Sequence, residues 1–195
     1  ADYKTLIEWW NRYASARPLY IGEDVERTVK YTDLQRPASH QMPAKMALHA
    51  KSSNVDGMVL WYAKAAVDNI GNYGTMLRNT YWRYPALQPL MPFIDHKAPK
   101  KVRKLKPVWT EDGYLLFWTA PKGRGWQNEA RQYVVYRFAS DEKVNTNDAS
   151  KIVTITSDTF LKLPYNNGRT PYTYVVTALD RIHNESKAVK KKLKL

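Results

Sequence analysis

Two pairs of neighbouring side chains that could do chemistry each lie at the end of a short apolar run. The first pair, Glu23 and Asp24, supplies carboxylates, and hydrolysis of a glycosidic bond uses two carboxyl groups about 5–10 Å apart. Neighbouring residues of an extended backbone point to opposite sides, so only one of this pair could face a given bond. The alternative role is a carboxylate hydrogen-bonded in a strand-end loop beside Arg27.

The second pair, Trp61 and Tyr62, is aromatic. The face of an indole ring carries partial negative charge and can stack on the C–H groups of a sugar. Packing in a core would account for Trp61 equally well. We therefore treat five residues as candidates for substrate binding and leave the catalytic residues unassigned: Glu23, Asp24, Arg27, Trp61 and Tyr62.

Other chemistries find little support in the sequence. It contains no cysteine, which excludes disulfides, thiolate metal sites and cysteine nucleophiles. The histidines are scattered and show no metal-binding spacing, at His40, His49, His96 and His183. Neither a phosphate-binding P-loop nor a Gly-x-Ser-x-Gly nucleophile elbow is present. We expect no metal and no cofactor.

The elements that must position these candidates alternate between helix and strand. Apolar residues at helical spacing predict a helix over 2–15 that is capped by Asp2, and two more over 43–53 and 73–84. Continuous apolar runs at 19–22 and 58–62 predict two strands buried on both faces. This order predicts a parallel sheet. Because two strands are too few to complete it, we expect an unpaired apolar edge and self-association through residues 1–95.

The second half of the chain has a different pattern. Residues 85–106 are charged and interrupted by prolines, which predicts a linker between domains 1–98 and 99–195. Seven strands are then predicted, the count of an immunoglobulin-like sandwich, with Trp118 in its core: 102–109, 114–120, 131–139, 152–156, 159–163, 171–180 and 187–193.

The region around the predicted strand 171–180 resembles the last two strands of a fibronectin type III domain. The resemblance lies in Leu161-x-Leu163-Pro164, the alternating Thr-x-Tyr-x-Tyr-x-Val-x-Ala pattern of 170–178, and the turn Asn184-Glu185-Ser186. It implies that Tyr172 forms a tyrosine corner, in which its hydroxyl bonds back to the chain before the strand.

The first half resembles the end of the catalytic domain of glycosyl-hydrolase-like family ten, a bacterial group. The matching segments are Trp9-Trp10, 19–22, 41–45, 57–61, Tyr84-Pro85-Ala86-Leu87-x-Pro89 and Met91-x-x-Ile94-Asp95. The resemblance implies that the two strands are the seventh and eighth of a (β/α)8 barrel. Glu23 stands where relatives are expected to have Gln, which makes it a poor candidate for an essential acid.

The charge is concentrated in the second half. Of the net +13, residues 1–98 hold +3 and residues 99–195 hold +10. Basic surfaces can bind nucleic acid or anionic lipid, but the lysine-rich C-terminus lacks interleaved aromatic residues, which disfavours nucleic acid. No apolar run approaches the ~18 residues of a membrane helix, and the charged residues of 1–20 exclude a signal peptide there.

These observations predict an α/β plus all-β chain: a partial (β/α)8-barrel segment of two parallel strands and three helices, joined to a seven-stranded fibronectin III-like β-sandwich. The functional hypothesis is the C-terminal part of a polysaccharide-acting glycoside hydrolase, inactive alone, from a periplasmic, cell-surface or secreted parent protein. The alternative hypothesis is a non-catalytic carbohydrate-binding or adhesion module.

Overall fold

The computed structural model describes residues 2–14, 17–30, 35–36, 39–111, 113–123, 125–165 and 167–195. The chain divides into two compact units, Ala1–Arg83 and Tyr84–Leu195. The division therefore lies earlier in the chain than the predicted boundary after residue 98. Residue 15, the last residue of the helix predicted over 2–15, lies outside the described residues.

The described part of the first unit contains five α-helices: α1 (Tyr3–Tyr13), α2 (Val25–Lys30), α3 (Met42–Lys51), α4 (Lys64–Val67) and α5 (Tyr73–Met76). The predicted N-cap of α1 is confirmed, because the Asp2 carboxylate accepts a 2.8 Å hydrogen bond from the Thr5 amide. The single helix predicted over 73–84 is wrong. There α5 continues as a π-helix, Leu77–Tyr81, and the Trp82 amide bonds to the Leu77 carbonyl five residues back.

The helix α2 was not predicted from the sequence. It has only six residues, too few for a periodic pattern to be distinguished from a polar turn. Val25 and Val29 lie four residues apart on its buried side and are 0% and 1% exposed. This short helix is therefore stabilised by packing rather than by its own propensity.

Two strands of the first unit, β1 (Tyr20–Asp24) and β2 (Gly57–Trp61), pair in parallel as predicted. The chain passes through α2 and α3 between them, which forms a β-α-β connection. In the described part of the chain each of these strands has one strand neighbour. One edge of each strand is therefore unpaired.

The prediction that this sheet is covered on both faces is wrong. Met58 and Leu60 pack against an apolar cluster formed by the helices, whose buried members are Val25, Val29, Met42, Met46, Ala65, Tyr73 and Leu77. On the opposite face Val59 is 57% and Trp61 70% exposed. The continuous apolar run arises because the uncovered positions of β2 are apolar too.

The described part of the second unit has seven strands: β3 (Arg103–Thr110), β4 (Gly113–Thr119), β5 (Gln132–Ala139), β6 (Ile152–Thr156), β7 (Phe160–Leu163), β8 (Pro171–Leu179) and β9 (Val189–Lys194). They form two antiparallel sheets with the orders β3-β4-β7 and β6-β5-β8-β9. Each predicted strand is present, with its ends shifted by no more than two residues. The predicted β-sandwich is thus confirmed.

Trp118 lies in the core between these two sheets. It is 0% exposed and makes an edge-to-face contact with Tyr133 at a centroid distance of 5.5 Å. The prediction that Trp118 is a core residue is confirmed. Its indole N–H has no hydrogen-bond partner among the described residues, so the side chain contributes through packing alone.

Part of the predicted linker packs on the second unit. Leu87 contacts a buried apolar cluster that β5 and β8 form on the side of their sheet away from Trp118, and whose members include Tyr136, Phe138 and Val175. Asn184 also donates a 3.3 Å hydrogen bond to the Asp95 carbonyl. These contacts explain why the division of the chain precedes the proline-rich segment. Leu87 of this segment covers strands of the sandwich, so the segment belongs to the second unit.

Candidate active-site face

The uncovered side of the parallel pair is the candidate functional surface. Its side chains alternate with those that face the helices, and cross-strand partners share the same side, as in the pairs Asp24–Trp61 and Tyr20–Gly57. We call this surface the open face, and it consists of Tyr20, Gly22, Asp24, Gly57, Val59 and Trp61. Its carboxyl-terminal edge brings an acid and an indole to one register position.

Asp24 ends β1 and begins α2. Its carboxylate accepts a 2.8 Å hydrogen bond from the Arg27 amide, and its carbonyl accepts a 2.7 Å bond from the Thr28 hydroxyl. These bonds are those of a helix N-cap, which satisfies an amide that otherwise lacks a partner. They hold the carboxylate at the strand end, where it is exposed. The side chain of Arg27 is exposed on the first turn of α2.

Trp61 and Tyr62 lie at the matching end of β2. Trp61 is 70% and Tyr62 48% exposed, and the peptide bond between them is cis. Of the two roles that the sequence allowed for Trp61, packing in a core does not fit this exposure. Its ring presents area that a sugar could cover, and the carboxylate of Asp24 at the same register position could accept hydrogen bonds from sugar hydroxyls.

Glu23 belongs to a different environment from Asp24. It is 1% exposed and lies on the side of β1 that faces the helices. One carboxylate oxygen is 2.9 Å from the Lys45 ammonium; the other is 3.2 Å from His49 Nε2 and accepts a hydrogen bond from the Tyr3 hydroxyl. We call these four side chains the Glu23 cluster. They link β1 to α1 and α3.

The Glu23 cluster satisfies a charge that would otherwise be costly to bury. Lys45 supplies the countercharge with its side chain only 14% exposed, and its ammonium lies 4.6 Å from the centre of the Tyr3 ring. The Tyr3 hydroxyl is also 2.6 Å from His49 Nε2. Removing one partner of such a group leaves the other charge buried without compensation. The arrangement therefore indicates a structural role for Glu23.

Tyr73 lies near this cluster and is fully buried. Burial raises the pKa of its phenol, and the negative charge of Glu23 raises it further. Both effects favour the neutral phenol. Its hydroxyl has no hydrogen-bond partner within the described ranges, so Tyr73 acts there as an apolar core side chain.

The structure thus separates the five candidates. Asp24, Trp61 and Tyr62 lie together at the open edge with Arg27 nearby, whereas Glu23 lies on the other side of the sheet. Sequence reasoning correctly placed Glu23 and Asp24 on opposite sides but missed the partners of Glu23. One signal was available: Lys45 and His49 are four residues apart and share one face of α3.

An apolar cleft lies between α1 and β1. Its volume is about 480 Å³ and its lining includes Ile7 and Trp10 of α1 and Ile21 of β1. Trp10 is 49% exposed there.

None of the described helices has the length and apolar character that a membrane crossing requires.

Comparison with known proteins relates this chain to a glycosyl hydrolase. Glycosyl hydrolase YngK of Bacillus subtilis (strain 168) is 31% identical over 196 residues, which cover 100% of this chain and 38% of YngK. The chain therefore spans less than half the length of this curated relative. No protein-family model matches the chain.

Two solved structures are similar to about half of the chain each. The Clostridium perfringens spore cortex lytic enzyme SleM has a TM-score of 0.35 and 17% identity, with 50% of this chain and 28% of SleM covered. The structure of titin kinase and its flanking domains has a TM-score of 0.36 and 20% identity, with 49% and 17% covered. These TM-scores are too low to establish a shared fold.

Replacing Trp61 by alanine should leave the stability of the first unit within about 1 kcal/mol of the wild type, because an exposed side chain loses little burial. Chemical denaturation, with each unit followed separately, measures this. Met46→Ala is the matched control, since Met46 is 4% exposed and its truncation should cost about 2–5 kcal/mol. A loss from Trp61→Ala as large as that from Met46→Ala would make Trp61 a core residue.

Proposed function

We propose that this chain is the C-terminal part of a bacterial glycoside hydrolase that acts on polysaccharide. The observation that carries the proposal is the open face, where Asp24 and the exposed Trp61 share one register position at the carboxyl ends of parallel strands. The similarity to a glycosyl hydrolase supports a glycan as the substrate of the parent protein.

In this proposal β1 and β2 are the seventh and eighth strands of a (β/α)8 barrel of glycosyl-hydrolase-like family ten. Two features support it: the parallel pairing, and the helices packed on one face only. In such barrels helices cover the outside, and active sites lie at the carboxyl ends of the strands. The open face would then line the barrel interior, and its end would line the substrate cleft.

The candidate residues take different roles under this proposal. Trp61 and Tyr62 stack on sugar rings, and Asp24 and Arg27 form hydrogen bonds with sugar hydroxyls. Glu23 stabilises β1 from the side of the sheet that faces the helices. The acid and the base that act on the glycosidic bond belong to strands outside this chain, so the chain alone is inactive.

Within the second unit, residues 99–195 are proposed to form a fibronectin type III-like accessory domain, on which the segment before residue 99 packs. Its support is the count of seven strands together with the pairing of β6 with β5, which gives sheets of three and four strands. Tyr172 is half-buried, and its ring lies 5.0 Å from the Arg137 guanidinium. The hydrogen bond of the tyrosine corner stays a prediction.

The parent protein is proposed to be periplasmic, cell-surface or secreted, where structural polysaccharides are found.

The purified chain should hydrolyse no member of a panel of aryl glycosides and glycans above the uncatalysed rate. The reason is that a single carboxylate at the open edge cannot supply both the acid and the base. Product release is measured by chromatography after long incubation. Turnover that is lost in Asp24→Asn would contradict the assignment of the acid and base to other strands.

A second candidate function is non-catalytic carbohydrate binding by the sandwich. The observation that favours it is an exposed aromatic group in which Trp109 is 56% and Tyr165 46% exposed, with ring centroids 5.2 Å apart and Tyr114 beside both. Saturable binding of neutral glycans that is lost in Trp109→Ala and unchanged in Trp61→Ala would favour this candidate.

The unpaired edges and the open face should cause self-association. Sedimentation velocity over a concentration series should show dimers or larger species, because exposed apolar strand edges pair with one another. Val59→Glu places a charge on the open face and should shift the distribution toward monomer. A wild-type chain that stays monomeric at the highest concentration would contradict this expectation.

A further inference from the structure

A cavity of about 750 Å³ lies in the second unit, and its described lining residues all belong to that unit. Its walls come from the segment before β3, from the residues after β4 and from the turn between β8 and β9. Five of the side chains that line it are cations: Lys100, Lys101, Arg103, Lys122 and Lys187. The volume is in the range of ligand-binding cavities rather than of a site for a single ion.

These cations have no counterion within the described chain. None of the five forms an ion pair there. Arg103 donates a 3.2 Å hydrogen bond to the Ala120 carbonyl, which fixes its direction without neutralising its charge. Cations of one sign around a concave surface concentrate its potential and attract anions from solution.

Among the described residues of the lining the single carboxylate is that of Glu185, and it is already engaged. One of its oxygens accepts hydrogen bonds from the Tyr136 hydroxyl at 2.7 Å and the Thr177 hydroxyl at 2.6 Å. It therefore neutralises at most one of five positive charges. Glu185 thus satisfies two hydroxyls on the outer side of β5 and β8.

The remaining lining suits a sugar rather than a free inorganic anion. Pro99 and Pro121 supply apolar rings, and lysine stems add methylene groups beneath their charged ends. Such a surface can contact the C–H faces of pyranose rings while ammonium groups meet acidic substituents. Four of the five cations are lysines, which act as point charges and do not require the fixed geometry of a bidentate partner.

We propose that this cationic cavity binds a carboxylate-bearing polysaccharide, of the polyuronate class. The choice of a glycan rests on the proposed function, and the anionic class comes from the uncompensated charge. Nucleic acid is disfavoured because the described residues that line the cavity include no aromatic side chain on which a base could stack. The sandwich would then hold an acidic polymer independently of the open face.

The test uses the 195-residue chain and isothermal titration with an oligogalacturonate of defined length. The same oligosaccharide with its carboxylates methyl-esterified is the ligand control, because it keeps the sugar backbone and loses the charge. A single-stranded DNA oligonucleotide tests the competing class of polyanion. We expect saturable binding of the oligogalacturonate that weakens with added salt, and no binding of the ester.

Two triple variants remove equal charge from different places. Replacing Lys100, Lys122 and Lys187 by Gln should lower the association constant about tenfold, since the loss of each exposed ion pair weakens binding by roughly twofold. Replacing Lys190, Lys192 and Lys194 of β9 by Gln should lower it less than twofold. All six side chains are exposed, and thermal unfolding checks that both variants remain folded.

Three results would overturn the proposal: no binding of the oligogalacturonate, equal losses in the two triple variants, or DNA bound as tightly as the oligogalacturonate. The binding titration does not involve hydrolysis. A failure here therefore leaves the proposed role of the open face standing, and a failure of that role leaves the binding result standing.

Discussion

Trp118→Ala is expected to unfold the second unit or to leave it barely stable. Trp118 is 0% exposed in the core between the two sheets and contacts Tyr133 edge to face. Truncating a buried aromatic of this size costs about 3–5 kcal/mol, a large share of the ~5–15 kcal/mol that stabilises a typical domain. Urea denaturation, followed by the near-ultraviolet signal of the sandwich, measures the loss.

Trp109→Ala is the matched control for this prediction. Trp109 lies on the neighbouring strand β3 and is 56% exposed, so its loss should cost about 1 kcal/mol from ring contacts with Tyr114 and Tyr165. Trp118→Phe should be milder than Trp118→Ala, because it retains a ring and removes an indole N–H without a partner among the described residues. Equal midpoints for Trp118→Ala and Trp109→Ala would contradict the core assignment.

Glu23→Ala is expected to destabilise the first unit by about 3 kcal/mol or more. The carboxylate is 1% exposed and is the countercharge of Lys45, so its removal leaves an ammonium group in a largely buried position. It also removes the acceptor for the Tyr3 hydroxyl. Chemical denaturation of the first unit measures the effect, which should fall mainly on the packing of α1 and α3 against β1.

Two further variants separate charge from position. Asp24→Asn changes the neighbouring acid but keeps an oxygen that can accept from the Arg27 amide, so it should cost less than about 1 kcal/mol. The double variant Glu23→Ala with Lys45→Met should recover part of the stability that Glu23→Ala loses, because no unpaired charge remains. If Glu23→Ala costs no more than Asp24→Asn, the Glu23 cluster has no structural role.

The sandwich could be predicted closely from the sequence because its strands carry their own signals. A run of β-branched and aromatic residues, as along β8, is a signal that the strand shows by itself. The linker was harder to interpret. Prolines and charges indicate an exposed segment, but the contact of Leu87 with the outer side of the sheet depends on which strands lie adjacent in the folded unit.

The first unit was predicted less completely because its decisive features are tertiary. The pattern of Ile21, Met58 and Leu60 is the same whether one face of the sheet or both are covered. Likewise, the opposite orientations of Glu23 and Asp24 follow from extended backbone, but which of the two is buried depends on Lys45 and His49 of α3. The exposed edge of the candidate site was therefore predictable in residue type, and the buried cluster behind it was not.

The most direct test of the central claim, that the end of the open face lines a sugar cleft, is the hydrolysis of polysaccharide by the parent protein carrying Trp61→Ala. The account predicts a loss of at least tenfold in kcat/KM with unchanged folding, because stacking of a sugar on the indole is removed. Trp9→Ala is the matched control, since Trp9 is 49% exposed on α1, outside the open face, and its loss should leave kcat/KM within twofold. Equal activity of the wild type and Trp61→Ala, or equal losses in the two variants, would contradict the account.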